Sequence, residues 1–379
     1  MRTVLHALQP ASAGTQRQLR SLHFGAAQNG RKAYVQASLH ADEVPPMLVA
    51  QHLRVALAEI EQAGLIDGEI VLVPMANPIG LSQELQGAPC GRFDLRTGIN
   101  FNRNYQHLTA TLIPQLEPLL GSDAVQNTLH IRRAALALLA AQAALTETDQ
   151  LKLRLQTLAT DADLVLDLHC DTQAVMHVYT GTPLAEAARP LGALLGAQAL
   201  LVSEESGDDP FDETVSRIWW ELAAHFGPDR PVPLACFAAT VELRGELQVD
   251  ERLAHQDATA LLQFLRLRGH IAEGPALNLP ALTLPSAGMC EATPLEGVEP
   301  IVAPHNGVLI FFKAPGDEVA EGEKVAEVLD PLSDLRTPLI ASRGGRMFAR
   351  VSRRYATAGM RVCKVAGAQA FRSGKLLSL

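Results

Sequence analysis

The stretch Asp163-Leu-Val-Leu-Asp-Leu-His169 decides the architecture of this chain. It is a short apolar run with a polar residue at each end, the length and composition of a strand buried on both faces. Working outward, Glu69 to Pro74 (EIVLVP) and Ala239 to Leu243 (ATVEL) read the same way, and Lys32 to Leu39 (KAYVQASL) adds β-branched and aromatic residues. Between these runs, Pro46 to Ala63, Asp123 to Ala144 and Glu147 to Leu158 carry apolar residues at helical spacing. Strands alternating with helices predict an α/β domain built on a mixed, largely parallel sheet flanked by helices. Asn77 to Gln106, rich in Gly, Pro and Asn, reads as a long loop.

The chain has 379 residues, more than one compact core usually organises, so one large and one small domain are expected. A hydrophobic fraction of 47% and a charged fraction of 19% are those of an ordinary globular protein. The formal net charge of -9 argues against a nucleic-acid partner, because phosphate backbones reward clustered Lys and Arg. Cys90, Cys170, Cys236, Cys290 and Cys363 lie far apart without a CxxC pair, which favours a reducing compartment over a disulfide framework. The opening residues lack the apolar core of a signal peptide, and nowhere do about 18 apolar residues run together. A cytoplasmic location with no membrane partner is the expectation.

From about Gly274 to Pro304 prolines punctuate the chain, as in a linker. The boundary is therefore set between a catalytic α/β domain, residues 1–278, and a β-rich domain, residues 279–379. Within the latter, Ala303 to Val328 resembles Ala341 to Val365. Gly307 pairs with Gly345, Gly322 with Gly359, Val325 with Val362 and Val328 with Val365. Two copies of strand, turn, strand, Gly-turn, strand predict a small all-β module with pseudo-two-fold symmetry. It looks like the barrel-sandwich fold of biotinyl and lipoyl carriers. The lysine turn that those carriers modify is absent, which leaves a structural or lid-like role.

His40-Ala-Asp-Glu43 stands where a strand ends and a helix begins, and i, i+3 spacing can bring an imidazole and a carboxylate to one ion. His169 follows a second strand, and sites in open α/β sheets gather beyond the carboxyl ends of strands. Two His and one carboxylate leave a position open for water, as in catalytic zinc sites; non-haem iron uses the same ligand set. Each motif alone equally fits a solvated helix start or a strand cap. Between them, Arg92 to Tyr105 is a run of hydrogen-bond donors, and guanidinium groups clamp carboxylates and oxyanions.

The ordered set His40-Ala-Asp-Glu43, Asn77-Pro78, Arg92-Phe93, Asn102-Arg103, Asp167-Leu168-His169 and Thr240-Val241-Glu242 resembles the succinylglutamate desuccinylase/aspartoacylase family, a branch of the zinc carboxypeptidase superfamily. The likeness runs from roughly Ala37 to Gly245. It implies a zinc carboxypeptidase-like fold and one Zn2+ per chain, held by His40, Glu43 and His169. It implies Glu242 as general base and then acid, Arg92 as the group polarising the scissile carbonyl, and Asn102 and Arg103 as ligands of a substrate carboxylate. Arg96 is a rival to Arg92, and Arg244 offers Glu242 a plain ion-pair partner. One departure stands out: Asn100 occupies the position where carboxypeptidases place an Asp behind a metal-bound His. Asp42, Asp167 or Asp171 could compensate. For the tyrosine that closes over substrate, Tyr179 and Tyr355 are the candidates.

The expected function is a zinc-dependent amidohydrolase that releases an acyl group from an N-acyl amino acid or a similar small amide. The alternatives are a zinc carboxypeptidase acting on peptides and a catalytically inactive binding protein of the same fold. The acidic stretch Glu204, Glu205, Asp208 and Asp209 reads as a solvated loop rather than a cation site.

Overall fold

The computed structural model describes residues 1–26, 30–274, 279–282 and 290–377. Nine strands form the main sheet: β1 (Arg2–Ala7), β2 (Gln18–Gly25), β3 (Lys32–Ala37), β4 (Glu69–Val73), β5 (Leu164–Asp171), β6 (His177–Gly181), β7 (Ala199–Ser203), β8 (Phe237–Gly245) and β9 (Ala292–Pro294). They are ordered β1-β2-β4-β3-β5-β8-β6-β7-β9. The central four, β4, β3, β5 and β8, are mutually parallel; β2 and β6 border them antiparallel. The expected mixed, largely parallel α/β sheet is thus present, and the sequence-read strands are its centre.

Helices α1 (Pro45–Gln62), α2 (Thr109–Leu116), α3 (Ala124–Ala140), α4 (Glu147–Ala159), α5 (Ala185–Leu195), α6 (Phe211–Phe226) and α7 (Glu251–Leu267) cover both faces. Helix α1 begins with Pro45 at a position where a missing N–H costs nothing, and its stripe Val49, Leu53, Leu57 and Ile60 is buried. It packs with α5 and α7 over one face, while α2, α3, α4 and α6 cover the other. Helix α4 opens with a capping box, Thr146 Oγ1 accepting from Asp149 N and Asp149 from Thr146 N, both at 3.0 Å.

The period of two along the strands decides where polar groups go. In β5, Leu164, Leu166 and Leu168 enter the first core and Val165 the second; in β8, Phe237, Ala239, Val241 and Leu243 enter the first and Ala238 the second. Asp167, His169, Thr240 and Glu242 therefore follow on the second face. Gln36, Asp167 and Thr240 lie side by side across β3, β5 and β8, and one pleat further on His169 lies beside Glu242.

The tail forms the expected β-module from β10 (Val298–Val302), β11 (Gly307–Phe311), β12 (Lys324–Leu329), β13 (Arg336–Ile340), β14 (Gly345–Arg350) and β15 (Arg361–Ala366), with two-residue strands at Glu318–Val319 and Tyr355–Ala356. One sheet runs β10-β15-β14-Glu318–Val319 and the other β13-β12-β11-Tyr355–Ala356. Each sheet mixes strands of both sequence copies. The copies are therefore intertwined, and neither could bury its valines alone. The paired residues Val325, Val362, Val328 and Val365 are the fully buried centre of this module.

The main sheet and the module meet through Gln173–Ala174, which pairs with β14, and through Val175, Leu201, Leu295, Val298, Phe348 and Leu376. Strand β9 lies beyond the proline-rich segment yet joins the main sheet. The expected boundary at 278/279 abuts residues 275–278, which, with residues 283–289 of the linker, lie outside the described residues.

Two buried histidines outside the candidate donor set make the fold acid-sensitive. Burial holds His177 and His270 neutral, each lowered to about 4. His177 donates from Nδ1 to the Val175 carbonyl at 2.8 Å, while its Nε2 is buried without a hydrogen-bond partner among the described residues. The unfolded chain takes up these protons near pH 6.5, the folded chain only near 4, so stability is full above pH 6.5 and falls as the pH drops from 6.5 to 4. The ceiling is about 3 kcal/mol per group. Urea melts at pH 7 and pH 5 should show this loss, and His177→Phe should flatten the slope.

Candidate active site

The ligand turn is set up by a strained residue at the end of β3. Ser38 adopts φ 57°, rare for a residue with a side chain, and its hydroxyl donates to the Glu43 carbonyl at 2.6 Å. Asn77 braces the turn from below. Its amide donates to the Leu39 carbonyl at 2.9 Å and accepts from Gly80 N at 2.8 Å, so the Asn77-Pro78 motif is a support and not a ligand.

His40, Glu43 and His169 converge as the sequence leads one to expect: they are buried, and their donor atoms lie within 4.8 Å of one another. Glu43 Oε1 lies 2.8 Å from His40 Nδ1, and Oε2 lies 2.8 Å from His169 Nδ1 and accepts from Cys170 N at 3.0 Å. Each ring is held from its far side. His40 Nε2 lies 2.8 Å from Asn100 Oδ1, which also accepts from Asn102 N at 2.8 Å. His169 Nε2 lies 3.0 Å from Asp167 Oδ2, an ion-pair contact whose N–H is not aligned enough for a hydrogen bond. Asp167 is held in turn by Gln36 Nε2 at 2.8 Å. Asn100 thus stands behind His40, and of the three acids that could compensate only Asp167 touches a ligand. Asp171 is instead paired with Lys364 at 2.7 Å.

The charges follow this wiring. Burial opposes ionisation of Glu43, but His169 and His40 outweigh it and hold its carboxyl below the ordinary range. Burial, then Arg92, lowers His40 to about 4. His169 is raised despite burial because Asp167 and Glu43 face it. Glu242 is pushed up to about 8, by burial first and by the Glu43 charge second. Its Oε2 is buried without a hydrogen-bond partner among the described residues. The plain ion pair with Arg244 does not form: the register shifts after Glu242, Arg244 takes φ 66°, and its guanidinium pairs with Asp257 of α7.

Arg92 reaches the ligands from a loop folded on itself by the Phe93–Asn100 bridge. Its Nη1 lies 3.2 Å from His40 Nδ1 and 3.5 Å from Glu43 Oε1. Gly91 lets this loop lie on the ligand turn: its carbonyl accepts from Ala41 N at 3.1 Å, and a Cβ there would sit 2.3 Å from Asp42 N. Gly91→Ala should therefore cost about 1–3 kcal/mol of stability, an overpacking strain, and displace Arg92. Thermal melts alongside activity would test this, with Gly121→Ala, where a Cβ meets open space and φ is not positive, as the control.

Asn102 is oriented by helix α6: its Oδ1 accepts from Phe211 N at 2.9 Å, which turns the amide NH2 elsewhere. Arg103 is buried, donates from Nη1 to the Asn102 carbonyl at 2.6 Å, and has its own carbonyl held by Lys152 Nζ. His40, Glu43, His169, Glu242, Arg92, Asn102 and Arg103 all line one cavity of about 340 Å³. Tyr179 lines it too, half-buried, whereas Tyr355 is exposed and, like Arg96, is not among the lining residues. The acidic stretch is more than a solvated loop: Glu205 pairs with Arg217 at 3.0 Å and Asp208 with Lys375 at 2.7 Å.

Part of the wall has no local sequence signal. Asp212 enters from α6, raised to about 7 by burial and then by Asp167. Val298, Pro300, Phe348, Val351, Arg361 and Lys364 come from the β-module. The module is a wall of the site as well as an appendage to the fold.

Residues 29–268 match the family model described as the succinylglutamate desuccinylase/aspartoacylase catalytic domain. No curated protein sequence matches the chain. Among solved structures, a Shewanella amazonensis protein described as of the same family is 24% identical, with 97% of this chain and 98% of that one covered at a TM-score of 0.81. A Shewanella frigidimarina protein described in the same terms is 22% identical, with 97% of each chain covered at a TM-score of 0.82. The product-bound ectoine utilization protein EutE (DoeB) of Ruegeria pomeroyi is 16% identical, with 97% and 94% covered at a TM-score of 0.65. These likenesses span the β-module as well as the sheet and carry the fold. With the family model spanning well over half of the residues, the chain belongs to the succinylglutamate desuccinylase/aspartoacylase family of deacylase-type hydrolases.

Proposed function

We propose that this protein is a zinc-dependent amidohydrolase that cleaves the amide bond of an N-acyl amino acid or a similarly small amide. The observation that carries the reading is the placement of Glu242. Its unpartnered buried oxygen stands one strand away from His169, beside three converging metal-type donors. The donor set fits a zinc ion: two ring nitrogens and a carboxylate, with Asn100 and Asp167 orienting the rings from behind. Zinc bound there would acidify a water molecule and polarise the scissile carbonyl.

The chain's own groups supply the rest. Glu242 takes a proton from the attacking water and returns it to the departing amine nitrogen. Arg92 donates to the carbonyl oxygen as negative charge develops on it. The Asn102 amide and Arg103 hold the substrate carboxylate. The β-module walls part of the cavity, which favours small amides over the peptides of a carboxypeptidase. The ectoine utilization relative, described as product-bound, is consistent with a small-molecule substrate. Among the described residues no helix is long and apolar enough to cross a membrane.

The test is metal analysis of the purified protein followed by amine release from N-formyl, N-acetyl and N-succinyl amino acids, with dipeptides in parallel. About one zinc per chain and release from the acyl amino acids are expected. Full amidase activity in protein stripped of metal would overturn the reading, and a preference for dipeptides would favour the carboxypeptidase.

A further inference from the structure

The two candidate imidazoles are supported unequally from behind. His40 Nε2 meets the neutral amide of Asn100, whereas His169 Nε2 meets the Asp167 carboxylate. Only His169 therefore has a charged support, and a carboxylate behind an imidazole makes the ring a better metal ligand. His169 does not itself secure that support. The contact with Asp167 Oδ2 is misaligned, and Oδ2 is buried without a hydrogen-bond partner among the described residues. A carboxylate turns in a broad torsional well, so Asp167 needs a second hold to stay on the ring.

Strand β3 supplies that hold. Gln36 and Asp167 stand opposite each other in the parallel register of β3 and β5, and Gln36 Nε2 donates to Asp167 Oδ1 at 2.8 Å. Among the described residues it is the only hydrogen-bond donor to this carboxylate. Two residues back on the same face, Tyr34 Oη donates to Gln36 Oε1 at 2.8 Å. The amide can point only one way, because a carboxylate accepts and cannot donate. Asp167 takes the NH2 group, which leaves the amide oxygen to accept from the phenol. Tyr34, Gln36 and Asp167 are fully buried, away from bulk water. The Tyr34 ring is set by packing against Phe211, with centroids 5.9 Å apart. Burial and then the Asp167 charge raise its hydroxyl well above the ordinary range, so it stays a donor. The chain Tyr34–Gln36–Asp167–His169 thus runs in one direction, from a packed ring to a candidate ligand.

We infer that Gln36 and Tyr34 are positioning residues for the metal, holding Asp167 on His169 and so setting how tightly the three donors grip a divalent ion. Neither is among the residues that line the cavity. They act on metal affinity and take no part in binding the amide. The inference rests on the zinc reading, so the test measures metal binding itself.

Competition with a chromophoric chelator, on the metal-free full chain, gives the zinc dissociation constant of each variant. Gln36→Leu should weaken zinc binding about 10- to 100-fold, the cost of losing an outer partner of a metal ligand. Tyr34→Phe removes one neutral hydrogen bond and should weaken it about fivefold. Tyr105→Phe is the control, because its hydroxyl is buried near Asp167 with no hydrogen-bond partner among the described residues. With no bond to lose, its affinity should stay within about twofold of wild type. In an Asp167→Asn background the Gln36→Leu and Tyr34→Phe effects should shrink to about twofold or less, since both act through that carboxylate. A purely structural role would instead lower the melting temperature of the metal-free protein and leave the zinc constant unchanged. If Gln36→Leu does not fold, Tyr34→Phe with and without Asp167→Asn decides. Unchanged affinity in the variants, or the same losses in the Asp167→Asn background, would overturn the inference and leave the zinc reading standing. No zinc bound by wild type would overturn both.

Discussion

Glu242→Gln should lower kcat about 10³-fold, within the range by which a positioned general base accelerates proton transfer, while zinc content and KM should stay within about twofold of wild type. Glu242 reaches the site from β8, paired in register with His169 on β5 and His177 on β6. Its Oε2 has no hydrogen-bond partner among the described residues, so it is held by the sheet rather than by side-chain bonds. Gln keeps the shape and loses the proton exchange. The same substitution should leave the melting temperature unchanged or raise it. The folded protein burdens this carboxyl with burial and with the Glu43 charge, which push it up to about 8, and an amide carries neither penalty. A transition-state role and a structural role thus predict opposite pairs of outcomes. If Glu242→Gln melts early and loses activity only in proportion to its unfolding, the base is some other group.

Glu43→Ala should have the larger effect on metal. Its two carboxylate oxygens contact both imidazoles, so one deletion breaks every link in the donor set. Zinc per chain should fall to about a tenth or less after dialysis, and kcat/KM by at least about 10³-fold, because two imidazoles alone make a weak site. The metal-free variant should also be less stable than metal-free wild type by about 3 kcal/mol, the cost of leaving a buried charge pair half made. In its absence His169 would keep only Asp167, and Cys170 N would lose its acceptor. Metal analysis, kinetics and urea melts with and without chelator check the three parts separately. Retention of stoichiometric zinc by Glu43→Ala would remove Glu43 from the ligand set.

The central strands, the helices beside them and the three metal-type donors were legible in the sequence for one reason. Each depends on a pattern a few residues long: a short apolar run that ends in His169, a turn carrying His40 and Glu43, an apolar stripe after Pro45. The module's symmetry was legible too, since buried valines recur at matched positions in both copies. The border strands β1, β2, β6, β7 and β9 were not singled out, because their place depends on which neighbour they hydrogen-bond. Arg244 looked like a partner for Glu242 by proximity in the chain, yet a register shift turned it to Asp257. Tyr179 and Tyr355 were equal candidates until packing put one in the cavity wall and the other in solvent.

By itself, then, the sequence determined the central strands and offered His40, Glu43 and His169 as candidate donors, since apolar runs and turn chemistry act locally, whereas the role proposed for Glu242 came from the family resemblance. Only the tertiary structure decided that Asn100 backs His40, that helix α6 orients Asn102, and that Arg361, Lys364 and Arg372 wall the same cavity as His40. Those contacts join residues scores of positions apart. They are selected by how two faces of a sheet and an intertwined module pack, which no short window of sequence records.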